Sequence, residues 1–438
     1  MTAIEQLGAQ IARGTQGAQL AERIALHIGD TTAAWVAGAR SDEGRALLAF
    51  GASLQGASMA DRVLVRCAVT RLSEVDDIHL ASGTTPGSVV IPAALTVGAE
   101  RGAPAALIRE AIAAGYETMV RFGVAFNGPT ILYRGIWPTY FTAPAGVAAV
   151  TARLLGLDEK QTAHALALAL VFSSPGVAHP AGPRMGRWLS LGHAARHGVT
   201  AAVAAQEGFT GDVQLLEKDF FSAIYAITPD AKVIAEGLGK PALAGVSLKP
   251  WCAARQTIAA SQAVKELAQD GLKAEDIREI HVSVPPPYLK MVNHGVIKGD
   301  RSSYLTSVPC QVALSLVDPS EQYALKPEPS RITPAVETLM GKVVVEADEK
   351  LLQHFPRTWP ARVRVTTSMG MLEKEMLHVP GDPERVFSAA QAEHKFGRVL
   401  GRVIGEQASG GLWSQSQRAS SQDGAAADLV KGISQAIG

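Results

Sequence analysis

The stretch AGVAAVTARLLGLDEKQTAHALALALVFSS, residues 145–174, decides the fold class of this chain. Apolar side chains recur at three- and four-residue intervals on both sides of a Gly-Leu-Asp-Glu break. That is the period of an α-helix, not the alternation of a strand. Asp158 and Glu159 stand where the second helix would begin, and the positive end of a helix dipole favours carboxylates there. Both segments are apolar over much of their circumference. Helices of this kind are buried inside a large helical body.

The same texture extends in both directions. PAALTVGAERG (92–102), APAALIREAIAAGYETMVRFG (103–123) and GHAARHGVTAAVAAQEGFTGD (192–212) repeat it, the last stopped by Gly208. Near residue 273 it changes. AEDIREIHVSVPPPY (274–288) alternates Ile280, Val282 and Val284 with polar residues, and GKVVVEADEKL and ARVRVTTSMGMLEKEMLHVP continue the strand pattern around a helical SVPCQVALSLVDP. From about 385 the chain turns helical again with SAAQAEHKFGRVLGRVIGE, then a Ser/Gln-rich connector, SQSQRASSQDG, and a last helix. The expected fold is mainly α with an α+β part. It comprises a large all-helical domain over 1–268, a smaller α/β domain over 269–390, and C-terminal helices over 391–438 that return to the large domain. Gly397, Gly401 and Gly405, four apart, predict close helix packing.

The 438 residues carry 41 basic and 41 acidic side chains, 47% hydrophobic residues and 19% charged ones. This is the composition of a globular protein with a large core. A balanced charge argues against nucleic acid as a partner, since that needs a basic face. No apolar run is long enough for a membrane span, and the N-terminus does not read as a signal peptide. Cys67, Cys252 and Cys310 are widely separated, without zinc or redox spacing, which predicts free thiols in a cytoplasmic protein.

Phosphate loops, zinc-protease helices and nucleophile elbows are all missing from the sequence. His193 and His197 share a helix face, but no third ligand completes a zinc site, so packing is the expected role. Three segments hold candidate chemistry. EVDDIHLASGTTPGSVVIPAAL places Asp76, Asp77 and His79 before a helix start, either as a capping turn or as a proton-transfer cluster. YRGIWPTYFTAPAG sets Arg134, Trp137, Thr139 and Tyr140 in a Gly/Pro-punctuated loop, as pocket walls or as an aromatic plug. SLKPWCAARQT brings Lys249 and Arg255 beside Trp251, as a carboxylate cradle or as ordinary helix-capping cations.

Taken in order, these segments, together with AAGYETMVRFG, RLLGLDEKQTAHAL and MGRWLSLGHAARHGVTAAVAAQEGFTG, resemble the MmgE/PrpD family over nearly the whole chain. That family includes 2-methylcitrate dehydratase, cis-aconitate decarboxylase and iminodisuccinate epimerase. The resemblance implies a large all-helical domain, a smaller α/β domain, a homodimer, and catalysis without metal or organic cofactor. Lys249 matches the lysine of the family's Lys-Pro loop. Glu74, Asp76 and Asp77 fall on its acidic positions. Thr85 and Trp137 stand where dehydratases and decarboxylases carry histidines, and Arg187 stands where the decarboxylase has a lysine.

The resemblance therefore implies a lyase that removes a proton next to a carboxylate or carbonyl of an acidic small molecule, by dehydration or decarboxylation. Expected catalytic residues are His79, Asp77, Glu74 and Lys249. Asp76, Thr84, Thr85, Arg134, Trp137, Arg187, Trp251 and Arg255 are expected to bind substrate. An isomerase or epimerase using the same enolate chemistry, or a silent acid-binding protein, are the alternatives.

Overall fold

The computed structural model describes residues 1–14, 17–54, 57–175, 185–238, 240–325 and 332–438. These residues form two compact units. The larger takes the described residues up to 248 and the C-terminal segment from Ser388. The smaller runs from Lys249 to Phe387.

The larger unit is helical because its apolar stripes admit no other period. Pro138–Leu155, which contains residues 145–155, is buried along nearly its whole length. It packs on Ala105–Ala125, Gly186–Gln206 and Glu159–Val171. The break between the two halves is a built helix start. Asp158 is the N-cap of Glu159–Val171 and accepts the Gln161 amide at 2.7 Å, while the Gln161 side chain accepts the Asp158 amide at 3.2 Å. Phe122, Phe126, Phe141 and Phe221 fill the centre of the unit with rings about 5 to 6 Å apart. Gly198 lets two helices meet backbone to backbone, since a Cβ there would lie 2.4 Å from the Pro144 carbonyl oxygen.

The C-terminal helices Ala389–Ile404, Glu406–Arg418 and Ala425–Ile437 belong to this unit and pack on Ala21–Ala39 and Gly87–Arg101. The Ser/Gln-rich connector is helical as far as Arg418, its polar residues lying on the outside of a helix that buries Leu412 and Trp413. The glycine spacing in Ala389–Ile404 does not mark close packing. Nothing approaches a Cβ at Gly397 or Gly405 within 4 Å, and only a Glu406 side-chain carbon approaches at Gly401.

The smaller unit holds a four-stranded mixed sheet. Its strands are β1 (Ile277–Val284), β2 (Val343–Ala347), β3 (Ala361–Thr367) and β4 (Met371–Met376), in the order β2-β1-β3-β4. β1 and β2 are parallel; the other pairs are antiparallel. Ile280, Val282 and Val284 point into the core, as their alternation predicts. Arg255–Gln269 packs on β3, β4 and Val308–Val317, so this helix, read in sequence as the end of the large domain, groups with the sheet. The three cysteines are free and buried. No helix among the described residues is long and apolar enough to cross a membrane.

Two substitutions separate the forces involved. Gly198→Val drives two methyl groups into the Pro144 backbone and is expected to destabilise by about 3 kcal/mol or more. Asp158→Ala removes only a cap and is expected to cost about 1 kcal/mol. Chemical denaturation followed by circular dichroism measures both; equal effects would show that the close approach at Gly198 is not a packing constraint.

Candidate functional site

The loop between helices Met59–Arg71 and Gly87–Arg101 is built around Asp77. Its carboxylate is buried. Oδ1 accepts the backbone amide of Gly87 at 2.7 Å, at the N-terminus of the following helix. Oδ2 meets His27 Nδ1 at 2.7 Å and accepts the Tyr116 hydroxyl at 2.5 Å. Gly87 is required here, because a Cβ would fall 2.7 Å from the carboxylate. Burial and the Asp77 charge raise the Tyr116 pKa well above the ordinary phenol value, so Tyr116 stays a donor.

The loop is tied down at two further points. Ile78 and Ser247 exchange backbone hydrogen bonds at 2.7 and 2.9 Å. Lys395, from a C-terminal helix, bonds the Asp30 carboxylate and the Val75 carbonyl, the latter at 3.0 Å. Burial raises the Asp30 pKa, and Lys395 opposes that shift.

Next to this frame lies a cluster of charges among aromatic rings. Arg71 pairs with Glu74 at 3.1 Å and Asp76 at 3.4 Å. Burial alone would lower the Arg71 pKa, but the two carboxylates more than offset it and the guanidinium is held charged. Arg187 is buried, with its guanidinium 4.0 Å from the Trp188 ring centroid and 5.6 Å from that of Trp137. Tyr140 is also buried, and its hydroxyl has no hydrogen-bond partner among the described residues. Burial pushes this phenol up to about 12, against the pull of Arg71 and Arg187. Glu74 sits in the left-handed region at φ 59°, a conformation that costs a non-glycine residue about 1 kcal/mol or more and clusters at functional sites.

The expected site residues divide. Glu74, Asp76, Trp137 and Arg187 are brought into this cluster with Arg71, Tyr140 and Trp188. Asp77 has its imidazole contact with His27 rather than His79. The His79 ring is turned the other way. Nδ1 accepts the Ser82 amide at 3.2 Å, which leaves the ring hydrogen on Nε2, and that edge lies 3.1 Å from a Cβ position at Gly245. Burial pushes the His79 pKa down to about 4, only partly opposed by Asp77. Thr84 bonds Ser82 and closes a backbone bridge to His79, while Thr85 bonds the Thr139 hydroxyl through both its amide and its own hydroxyl at 3.0 Å.

Arg134 is exposed and donates to the carbonyls of Tyr225 and Ala226, at 2.9 and 3.1 Å. Lys249, Trp251 and Arg255 belong to the smaller unit. Arg255 donates to Asp382 at 2.8 Å in a fully buried pair, so its guanidinium serves that unit's own core rather than a cradle. Lys265 lies 3.5 Å over the Trp251 ring. His197 packs at a tilt against Phe172, with ring centroids 5.1 Å apart, and no group of three ligating side chains is placed to hold a metal among the described residues.

Sequence reasoning missed Arg71, His27, Tyr116 and Trp188, and took Tyr140 only as a wall. His27 and Tyr116 left one signal: each is a lone polar ring within an apolar helical run. Arg71 left none, since a basic residue in a last helical turn is the ordinary complement of the dipole.

Fold and cluster together define a class: a mainly helical protein with a small α/β part, whose larger unit buries arginines, carboxylates and a phenol among aromatic rings. The family models for the MmgE/PrpD N-terminal and C-terminal domains match residues 9–233 and 251–412. The chain belongs to the MmgE/PrpD family. Over an alignment of 157 residues that covers 34% of the chain, it is 30% identical to the cis-aconitate decarboxylase-like protein oryM of Aspergillus oryzae. That match spans 32% of the relative, about a third of its length.

Asp77→Ala leaves His27, Tyr116 and the Gly87 amide buried without their acceptor, and is expected to cost about 3 to 5 kcal/mol. Tyr116→Phe keeps the carboxylate and is expected to cost about 1 to 2 kcal/mol; denaturation midpoints of both variants check the order. For His79 the folded value, about 4, lies below the ordinary 6.5. The unfolded chain therefore binds a proton that the folded chain refuses, and the His79 contribution to stability is full above pH 6.5 and is lost as pH falls towards 4. His79→Asn should flatten the stability profile in that window; an unchanged slope would show that the imidazole is not held neutral.

Proposed function

We propose that this protein is a lyase acting on a small carboxylic acid by removal of a proton next to a carboxylate or carbonyl. The observation that carries the reading is Tyr140, a buried phenol whose hydroxyl has no hydrogen-bond partner among the described residues, in the field of Arg71, Arg187, Glu74 and Asp76. Family membership and the partial likeness to a cis-aconitate decarboxylase-like protein support the same class.

The roles follow from the chemistry of the groups. Arg187 holds a substrate carboxylate, because the aromatic rings around it exclude water and its planar fork matches that group. Glu74 receives the α-proton. Its side chain keeps 13% of its surface exposed, whereas that of Asp76 keeps none. Arg71 keeps the Glu74 carboxylate oriented. As the carbon–hydrogen bond breaks, its electron pair moves into the adjacent carbonyl, and Tyr140 donates a hydrogen bond to the developing enolate oxygen. A donor preorganised in a dry site is worth far more than one in water. Loss of the β-hydroxyl then restores the carbonyl and forms the alkene, the hydroxyl leaving as water with the proton that Glu74 received. Lys249 is assigned to substrate by the resemblance and is tested on that ground. The reaction calls on no metal or organic cofactor, and the protein is taken to act as a homodimer in the cytoplasm.

A second reading is favoured by Thr85 and Trp137, which stand where the resemblance places imidazoles. With those acids missing, the same enolate can be reprotonated without loss of a leaving group, which is isomerisation.

A thermal-shift screen of di- and tricarboxylates identifies the acid, with about 2.7 kcal/mol of stabilisation expected at a hundred times Kd. With that acid, lyase activity produces a conjugated alkene, seen as absorbance. Isomerisation gives solvent deuterium uptake without new absorbance. Tyr140→Phe is expected to lower kcat about a hundredfold, Arg187→Met to raise KM, and Lys249→Met to impair both. If Tyr140→Phe and Arg187→Met turn over normally, the assignment fails. Binding without turnover or exchange identifies a silent acid-binding protein.

A further inference from the structure

In the helical unit a cavity of about 280 Å³ lies among the helices Ala21–Ala39, Asp42–Ser53, Met59–Arg71 and Ala425–Ile437. It shares no lining residue with the Arg71–Tyr140 cluster. Its apolar walls are Trp35, Leu48, Val65, Ile433 and Ile437. Asp61, Arg62 and Arg66 also reach the lining.

Two of these charges are already matched. Asp61 accepts from Ser58 and pairs with Arg196 at 3.0 Å. Arg62 grips both oxygens of Glu100, at 2.5 and 2.7 Å. Arg66 is different. Its guanidinium lies 5.5 Å over the Trp35 ring and donates to the Thr96 hydroxyl at 2.9 Å, and among the described residues it forms no ion pair. Burial and the neighbouring Arg62 hold its pKa below the ordinary guanidinium value, and Glu100 offsets this only in part. A half-buried cation with no ion pair among the described residues, at the edge of an apolar cavity, is the complement of a small amphipathic acid.

We propose that this cavity is a second small-molecule site, which binds a monocarboxylate with an apolar body, its carboxylate on Arg66 and its chain against Trp35, Val65 and Ile433. At about 30 Å³ per water-sized group the volume holds about nine groups, the size of a medium-chain acid. A second carboxylate on the ligand would meet the apolar walls or Asp61. The ligand class therefore differs from the polycarboxylates to be screened as substrates, and the site stands independently of the proposed reaction.

Titration calorimetry on the full chain tests this with octanoate, 1-octanol and succinate as probes. Octanoate is expected to saturate one site, with 1-octanol and succinate at least tenfold weaker. Arg66→Gln is expected to weaken octanoate at least tenfold and leave 1-octanol unchanged. Ser434→Trp, which places an indole in the cavity from its wall on Ala425–Ile437, should abolish octanoate binding, whereas Arg187→Met should change it less than twofold. Circular dichroism reports folding; if Arg66→Gln does not fold, Ser434→Trp and the comparison of the three probes decide. Absence of saturable octanoate binding, equal binding of octanoate and 1-octanol, retention in Ser434→Trp, or loss in Arg187→Met would each overturn the proposal.

Discussion

One carboxylate organises the helical unit around its loop. Asp77 draws together the Gly87 amide at one helix start, His27 from Ala21–Ala39 and Tyr116 from Ala105–Ala125. Each of these groups is buried, and each would be costly to leave without a partner. A charge placed there is tolerable only because its contacts are met at once and because it faces the positive end of a helix dipole. The geometry of residues 74–79 follows. With Asp77 held, Glu74 is left at the turn in a left-handed conformation and Asp76 is directed towards Arg71.

The same physics explains why the neighbouring cluster is chemically distinctive. Arg187 has aromatic faces beside its guanidinium, and a charge among rings is screened less than one in water. Tyr140 keeps its proton because burial disfavours the phenolate, and its hydroxyl has no hydrogen-bond partner among the described residues. Thr85 is the contrast. Its hydroxyl and amide are both spent on Thr139, so a polar residue in the same loop serves packing of the loop against the next segment. In the smaller unit Arg255 is likewise spent, on Asp382. Whether a polar side chain serves the fold or remains available is decided by what lies opposite it.

Much of the architecture was legible in the sequence. The period of residues 145–174 calls for buried helices, the Asp158 start is a full capping box, and the alternation at 280–284 is a half-buried strand. The glycine spacing at 397–405 misled, because small residues four apart permit close packing without requiring a partner to be there. The helix Arg255–Gln269 also has the texture of the large domain, but groups with the sheet. Composition does not say which neighbour an apolar stripe will find.

The site was legible in part. The sequence by itself marked which segments are candidates: the Asp76–His79 turn, the Trp137–Tyr140 loop and the Lys249 loop by their patterning, Glu74 and the helix start at Arg187 by resemblance to the family. Local patterning does this, since helix starts, turns and charged residues in apolar runs are written along the chain. Only the tertiary structure decided the partners. It gave Asp77 to His27 rather than to His79, turned His79 towards Ser82 and Gly245, brought in Arg71 and Trp188, and left the Tyr140 hydroxyl without a partner among the described residues. Hydrogen bonds and desolvation act over a few ångströms between residues tens of positions apart, and a linear pattern holds no record of those distances.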